Sequence, residues 1–235
     1  MNEKIIKSAD RVKNNGEVFT PNRIIKLMLG QPEIQAKIHE LSATFLEPSA
    51  GEGAFLVELL KQKMAVALSK STSATTYSRN CLITLSSLYG IEYLEDNVEM
   101  LVMNVITTFN QSYIRGICNF NKEPSKKVLN SAKIIIRANV VQGDTLKHIT
   151  SDGSPIIFSE WTSVGSKVQR TEYTFESIIT QSGPTGTVQN ASEQLDLFAG
   201  TDTFDDTPKA EQTKLPKYAL CNWVDIYKQK LESEG

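Results

Sequence analysis

One eleven-residue stretch constrains the fold of this chain more than any other. Residues 46–56 read Leu-Glu-Pro-Ser-Ala-Gly-Glu-Gly-Ala-Phe-Leu, which predicts a short apolar strand, a tight turn with Gly51 and Gly53, and the start of a helix. Open α/β sheets bind ligands beyond the carboxyl ends of their strands. Glycine lets the backbone approach a ligand closely, and the free N–H groups of the next helix favour an anionic group. Taken alone, the pattern would also suit a tight turn that needs only small residues.

The rest of the chain predicts an α/β fold around this turn. Thr20 and Pro21 are suited to the N-cap and the first position of a helix. Apolar patterning predicts strands near 43–47, 88–92, 139–142, 155–161 and 171–180, and helices near 54–68, 77–87, 96–112, 125–137 and 220–231. Alternation of strands and helices through residue 144 predicts a parallel sheet with helices on both faces.

Composition excludes several protein classes. The 235 residues are 40% hydrophobic with a net charge of −2, as expected of a globular domain with a small appendage. We expect a cytoplasmic protein without a membrane span, because no apolar run approaches ~18 residues and Met1–Lys4 lacks the apolar core of a signal peptide. Three scattered cysteines without a CxxC pair, and only two histidines, argue against disulfides and zinc sites.

The turn at Gly51 resembles the Asp-Pro-x-x-Gly-x-Gly-x-Phe-Leu motif of S-adenosylmethionine-dependent adenine-N6 DNA methyltransferases of restriction–modification systems, with an acid at Glu47. The resemblance implies that this segment holds the methionine part of S-adenosylmethionine. Residues 16–21 resemble the family's N-terminal cofactor motif, which closes over the methionyl end. The cofactor-binding residues implied by these two segments are Phe19, Thr20, Pro21, Glu47, Pro48, Ala50, Gly51, Gly53 and Phe55.

Two further segments follow in the family's order. Glu92 ends the second predicted strand, where a carboxylate can accept hydrogen bonds from both ribose hydroxyls, and Tyr93 follows it. Asp144, with Thr145 beside it, ends the third strand, and the family's Asp there accepts a hydrogen bond from the adenine amine. The alternatives are an exposed Glu92 and an Asp144 that caps a turn.

The catalytic motif departs from the family pattern. Where the family has Phe-Asp-x-x-Ile-x-Asn-Pro-Pro-Tyr, this chain has residues 175–184, Phe-Glu-Ser-Ile-Ile-Thr-Gln-Ser-Gly-Pro. Gln181 stands in the place of the catalytic Asn, and Tyr173 is the nearest aromatic that could stack on a base flipped out of the duplex. We therefore expect a DNA-associated, S-adenosylmethionine-binding protein that does not catalyse methyl transfer alone. Two alternatives remain open: an active adenine-N6 methyltransferase subunit completed by a target-recognition subunit or a second copy, and a non-enzymatic interaction module.

The resemblance also implies the domain organisation. Residues 1–181 would form a Rossmann-like S-adenosylmethionine-dependent methyltransferase fold, truncated after the fourth strand. Residues 182–214, with six acids against two lysines, predict a flexible acidic linker, and 215–235 a short C-terminal helix.

The linker contains a pentapeptide, Gln194, Leu195, Asp196, Leu197 and Phe198, that resembles the motif by which bacterial proteins dock on the DNA sliding clamp. Its apolar residues could instead pack over an open edge of the sheet.

Overall fold

The computed structural model describes residues 8–15, 17–181 and 217–232. These ranges contain two three-stranded sheets and eight α-helices. The strands are β1 (Phe45–Glu47), β2 (Leu88–Glu92), β3 (Val140–Gln142), β4 (Ile157–Val164), β5 (Lys167–Thr174) and β6 (Cys221–Asn222). The helices are α1 (Ala9–Asn15), α2 (Asn22–Leu29), α3 (Pro32–Ile38), α4 (Ala54–Ser69), α5 (Ala74–Ser86), α6 (Glu95–Ile117), α7 (Lys126–Asn139) and α8 (Phe175–Thr180), with 3₁₀ turns at Cys118–Phe120 and Trp223–Lys228.

The first sheet is parallel, in the order β1-β2-β3, and it confirms the predicted strand–helix alternation. Register places Glu47 beside Gly90 and Glu92 beside Gln142. All three strands therefore end at the same edge, which brings together the segments that follow them. This is a mixed α/β architecture with a parallel sheet and helices.

Helices α4, α5, α6 and α7 build the core beside the parallel sheet. Leu59 and Leu60 of α4 are fully buried, as are Leu82 of α5 and Phe109 of α6. An apolar stripe on each helix makes this packing possible, since residues three and four apart lie on one face.

The prediction of a fourth parallel strand is wrong for the described residues. Strand β5 pairs antiparallel with β4 and β6 in a second sheet, and residues 175–180 are a helix. Residues 175–180 form a helix because its N-terminus is capped. The Thr174 side chain accepts a hydrogen bond from the Ser177 N–H, and Glu176 lies in the first turn. These start signals outweigh the strand-like Phe and Ile content of the segment.

Two smaller predictions are also wrong. Pro21, not Thr20, occupies the N-cap of α2, and no side chain caps that helix. The predicted C-terminal helix is instead β6 followed by the 3₁₀ helix Trp223–Lys228, because the chain pairs with β5 before it turns. Helix α3 was not predicted; it is only seven residues long.

The predicted linker, with Gln194, Leu195, Asp196, Leu197 and Phe198, lies outside the described residues. Within the described ranges, no helix combines the length and apolarity needed to cross a membrane.

Candidate functional site at the carboxyl edge of the parallel sheet

The glycine turn after β1 is held in place by Glu92. The Gly51 N–H donates to Glu92 Oε2 at 2.8 Å, and the Leu94 N–H donates to Oε1 at 3.0 Å. Asn97 Nδ2 also lies 3.3 Å from Oε1, and the Glu92 side chain is buried. A carboxylate offers about four acceptor sites. Glu92 therefore orders the turn and retains the capacity to accept a further hydrogen bond from a ligand.

Two other carboxylates lie at the ends of the neighbouring strands: Glu47 is the last residue of β1, and Asp144 comes shortly after β3. Burial raises the pKa of Glu47 above the ordinary value, partly offset by a hydrogen bond from the Ser49 N–H. The Lys147 side chain, followed by the backbone N–H groups of Lys147 and Leu146, lowers the pKa of Asp144. Asp144 Oδ1 accepts from Leu146 N at 3.0 Å, so it caps its own turn, as in the alternative interpretation. Its side chain still lines the cleft that contains Glu92.

Residues 17–21 form a strap across this edge. The Arg11 side chain contacts Glu17 and lies 2.9 Å from Asp96 at the start of α6. Asn97 Nδ2 donates to Glu17 Oε1 at 3.1 Å, which connects the strap to the hydrogen bonds around Glu92. Residues 17–21 of the predicted N-terminal motif thus lie near the glycine turn.

Two clefts of about 510 and 630 Å³ flank the strap, volumes ordinary for small-molecule sites. Both are lined by the strap and the glycine turn; the shared residues are Val18, Phe19, Ser49 and Gly51. The smaller cleft adds Pro48, Glu92, Tyr93, Asp144 and Thr145, and the larger adds Thr20, Pro21, Glu47, Ala50 and Phe55.

The clefts are electrostatically one-sided. Their described lining residues include no lysine or arginine but five carboxylates: Glu17, Glu47, Glu52, Glu92 and Asp144. Two of these carboxylates have cationic partners outside the lining, since Arg11 pairs with Glu17 and Lys147 pairs with Asp144. The remaining acidic lining, which includes Glu47 and Glu92, favours a ligand that carries positive charge over a phosphate.

Two predicted site residues lie elsewhere. Gly53 lines neither cleft; its φ is +88°, and a Cβ there would lie 2.4 Å from Leu101 Cδ1. Its role is therefore to let the turn pack on α6. Gln181 is exposed at the C-cap of α8 with φ +53° and lines neither cleft, because the segment before it is a helix.

Tyr173 does not line either cleft. It lines a separate groove of about 410 Å³ between β1 and the second sheet, with Leu46, Tyr89 and Phe158. Burial, with a hydrogen bond to Glu160, raises the pKa of Tyr173 to about 12.

The sequence interpretation missed several lining residues. Asn97 and Asn104 of α6 face the clefts, as do Met28 and the 92%-exposed Leu146. The position of Asn97 could have been predicted from its spacing after Glu92, because the first turn of a helix that follows a strand lies at the same edge of the sheet. No local signal marks Leu146.

Comparison with known proteins identifies no relative. No protein-family model matches the chain, and no curated protein or solved structure does either. In the described part of the chain, no group of three or more His, Cys, Asp or Glu residues is placed to hold a metal ion.

Proposed function

We propose that this chain binds S-adenosylmethionine at the carboxyl edge of its parallel sheet, as a DNA-associated protein derived from an adenine-specific DNA methylase, without catalysing methyl transfer alone. The observation that carries the proposal is the position of Glu47, Glu92 and Asp144, which lie at or just beyond the ends of three adjacent parallel strands around one glycine turn. Glu92 would accept from a ribose hydroxyl at its remaining acceptor site, and Asp144 would accept from the adenine amine.

The charge of the ligand supports the same assignment. S-adenosylmethionine carries a sulfonium and an ammonium against one carboxylate, so its net charge is positive. Glu47 lines the larger cleft, where it would bind the ammonium, and the strap with Phe19 would cover the methionyl end. The cofactor supplies an electrophilic methyl group, while the residues of this chain bind and orient it.

Titration calorimetry with S-adenosylmethionine tests the proposal. We expect Glu92→Gln and Glu47→Gln each to weaken binding about 10–100-fold, because a hydrogen bond to a charged group contributes about 1.5–3 kcal/mol. The matched control is Glu99→Gln, an exposed acid on α6 outside both clefts.

Glu92→Gln also disturbs the glycine turn, so its melting point without ligand must be measured. Glu47→Gln leaves those hydrogen bonds intact and isolates ligand binding. The proposal fails if the wild-type chain shows no binding at millimolar cofactor.

A methyltransferase subunit completed by a partner is the second candidate function. Strand β1 is an edge strand, and Leu46 is 42% exposed beside the groove of Tyr173. Because the Phe45 N–H donates to the Ser87 carbonyl of the neighbouring segment, strand alternation directs the N–H and C=O of Leu46 away from β2. A further strand from a partner would fit this edge.

Radiolabelled-methyl transfer to adenine-unmethylated DNA separates the two candidates. The purified chain alone should incorporate no label. Co-expression with products of neighbouring reading frames, followed by methylation-sensitive digestion of host DNA, tests the partner. Incorporation by the chain alone that disappears in Gln181→Ala would contradict the leading proposal.

Sliding-clamp docking remains a separate proposal, supported by a match at all five positions of Gln194–Phe198. A labelled peptide of residues 190–202 should bind bacterial clamp with roughly micromolar affinity. Absence of binding at 100-micromolar clamp would favour packing of Leu195, Leu197 and Phe198 on the protein itself.

A further inference from the structure

Helix α7 carries an unusual concentration of positive charge for a chain with net charge −2. Its fourteen residues include Lys126, Lys127, Lys133 and Arg137 and no acid. Lys126, Asn130, Lys133 and Arg137 are spaced i, i+4, i+7 and i+11, so they form one stripe along the helix. The stripe extends over roughly 16 Å at the helical rise.

The opposite face of α7 fixes this stripe in position. Val128, Ala132, Ile135 and Ile136 are buried in the core, with no more than 2% of each exposed. All four residues of the stripe are exposed. The cations are therefore presented by a helix that cannot rotate without exposing its apolar face.

The stripe residues are not neutralised by nearby acids. Among the described residues, Lys126, Lys133 and Arg137 make no ion pair, whereas Lys127 pairs with Asp225 at 3.7 Å.

This surface lies at the other edge of the sheet from the acidic clefts. Asn139, the last residue of α7, donates to the carbonyls of Ser86 and Leu88 at the start of β2. The clefts lie beyond the end of β2, at Glu92. A polyanion is thus attracted to one end of the molecule and repelled from the other.

We infer that the exposed face of α7 binds the phosphate backbone of duplex DNA, away from the cofactor clefts. A row of lysines and an arginine on a rigid helix suits phosphate contacts, which position a protein without reading sequence. Helix α7 has no aromatic residue, whereas single-strand binding proteins stack bases on aromatic side chains. The inference deepens the DNA-associated part of the proposed function and is independent of cofactor binding.

Fluorescence anisotropy with a labelled duplex of about 20 base pairs tests the inference in the full chain. The variant is K133Q/R137Q, which removes two charges and keeps good helix-forming residues. The matched control is K37Q/K61Q, which removes two exposed lysines from α3 and α4. Both variants have the same net charge, so a difference in DNA affinity between them depends on where the removed charges lie.

Three phosphate contacts predict that wild-type affinity falls about 40-fold between 50 and 200 mM salt, since the logarithmic slope is about −0.9 per phosphate. K133Q/R137Q should reduce the magnitude of that slope by about 1.8 and weaken binding at 50 mM salt. K37Q/K61Q should retain the wild-type slope.

Three results would overturn the inference: no binding of duplex at 100 µM protein in 50 mM salt, equal loss in the control variant, or tighter binding of single-stranded RNA than of duplex DNA. Calorimetry with S-adenosylmethionine on the same preparations reports cofactor binding separately. A failed DNA experiment therefore leaves the cofactor proposal standing, and the reverse also holds.

Discussion

At the scale of single residues, the two glycines of the turn have different roles, although the sequence predicts that both bind the cofactor. Gly51 has φ +53° with open space around its missing Cβ, and it lines both clefts. Gly53 has φ +88° and packs against Leu101. Backbone conformation requires glycine at both positions, but close packing requires it only at the second.

This difference predicts distinct effects of Gly51→Ala and Gly53→Ala. Gly51→Ala should cost about 1 kcal/mol of unfolding free energy, since only left-handed backbone strain is added. Gly53→Ala should cost roughly 2–4 kcal/mol, because Leu101 must also move. Urea denaturation measures both. Equal losses would show that the contact with Leu101 relaxes freely.

Lys63 is a buried cation on α4. Its Nζ donates to the carbonyls of Glu40 and Ala43 at 3.0 and 2.8 Å and lies 5.0 Å from the centre of the Phe45 ring. Burial lowers the pKa of Lys63 to about 8, although the charge of Glu40 acts in the other direction. This amine ties the segment before β1 to α4.

The lowered pKa predicts that the contribution of Lys63 to stability rises with pH. Between about pH 8 and the unfolded pKa near 10.4, the unfolded chain binds a proton at Lys63 that the folded chain has lost. Burial raises the pKa of Cys81 and Tyr89, whose contributions fall as the pH rises, so the test is a difference in slope between variants. Lys63→Met should make the slope of stability against pH more negative than in wild type, whereas exposed Lys61→Met should retain the wild-type slope. Urea denaturation at several pH values checks the slope, and an unchanged slope in Lys63→Met would contradict the assignment.

At the scale of elements, one hydroxyl joins the C-terminal segment to the core. Ser131 on α7 is fully buried; its Oγ donates to the Val224 carbonyl at 3.1 Å and accepts from the Tyr227 N–H at 3.1 Å. The 3₁₀ helix Trp223–Lys228 thereby finds partners that a short helix cannot supply itself.

Ser131→Ala should therefore destabilise the protein by about 1–3 kcal/mol, because it leaves buried backbone groups without a partner. The matched control is Ser125→Ala at the N-cap of α7, where the side chain makes no cap hydrogen bond. Urea denaturation gives the free energies, and hydrogen exchange should show faster exchange across residues 217–232 only in Ser131→Ala. Faster exchange throughout the protein would instead show that Ser131→Ala destabilises the whole fold.

At the scale of the whole molecule, charge is separated along the direction of the parallel strands. The clefts at the carboxyl edge are acidic, and the surface of α7 near the amino edge is basic. Each end therefore favours a ligand of opposite charge.

The acidic clefts predict a preference for S-adenosylmethionine over its demethylated product, which lacks the sulfonium charge. One additional unit charge near these carboxylates is worth about 1 kcal/mol at partly solvated distances, or about a fivefold difference in Kd. Calorimetry at 50 and 500 mM salt should show the ratio shrinking as screening increases. Tighter binding of the demethylated product than of S-adenosylmethionine at low salt would contradict the electrostatic account of the clefts.

The sequence by itself determined the parallel α/β half of this protein. Strand, glycine turn and helix at residues 46–56, with Glu92 and Asp144 after later strands, predicted which segments meet at one edge. These predictions succeeded because each depends on local periodicity and on the rule that parallel strands end together.

Only the tertiary structure decided the rest. Residues 171–180 have strand-like composition throughout, yet Thr174 caps a helix and β5 pairs with β4, so Gln181 is placed away from the clefts. Composition cannot specify a pairing partner, because partners distant in the chain compete for the same strand. The placement of Gly53 against Leu101, and the opposite positions of the acidic clefts and the basic helix, likewise depend on contacts between segments far apart in sequence.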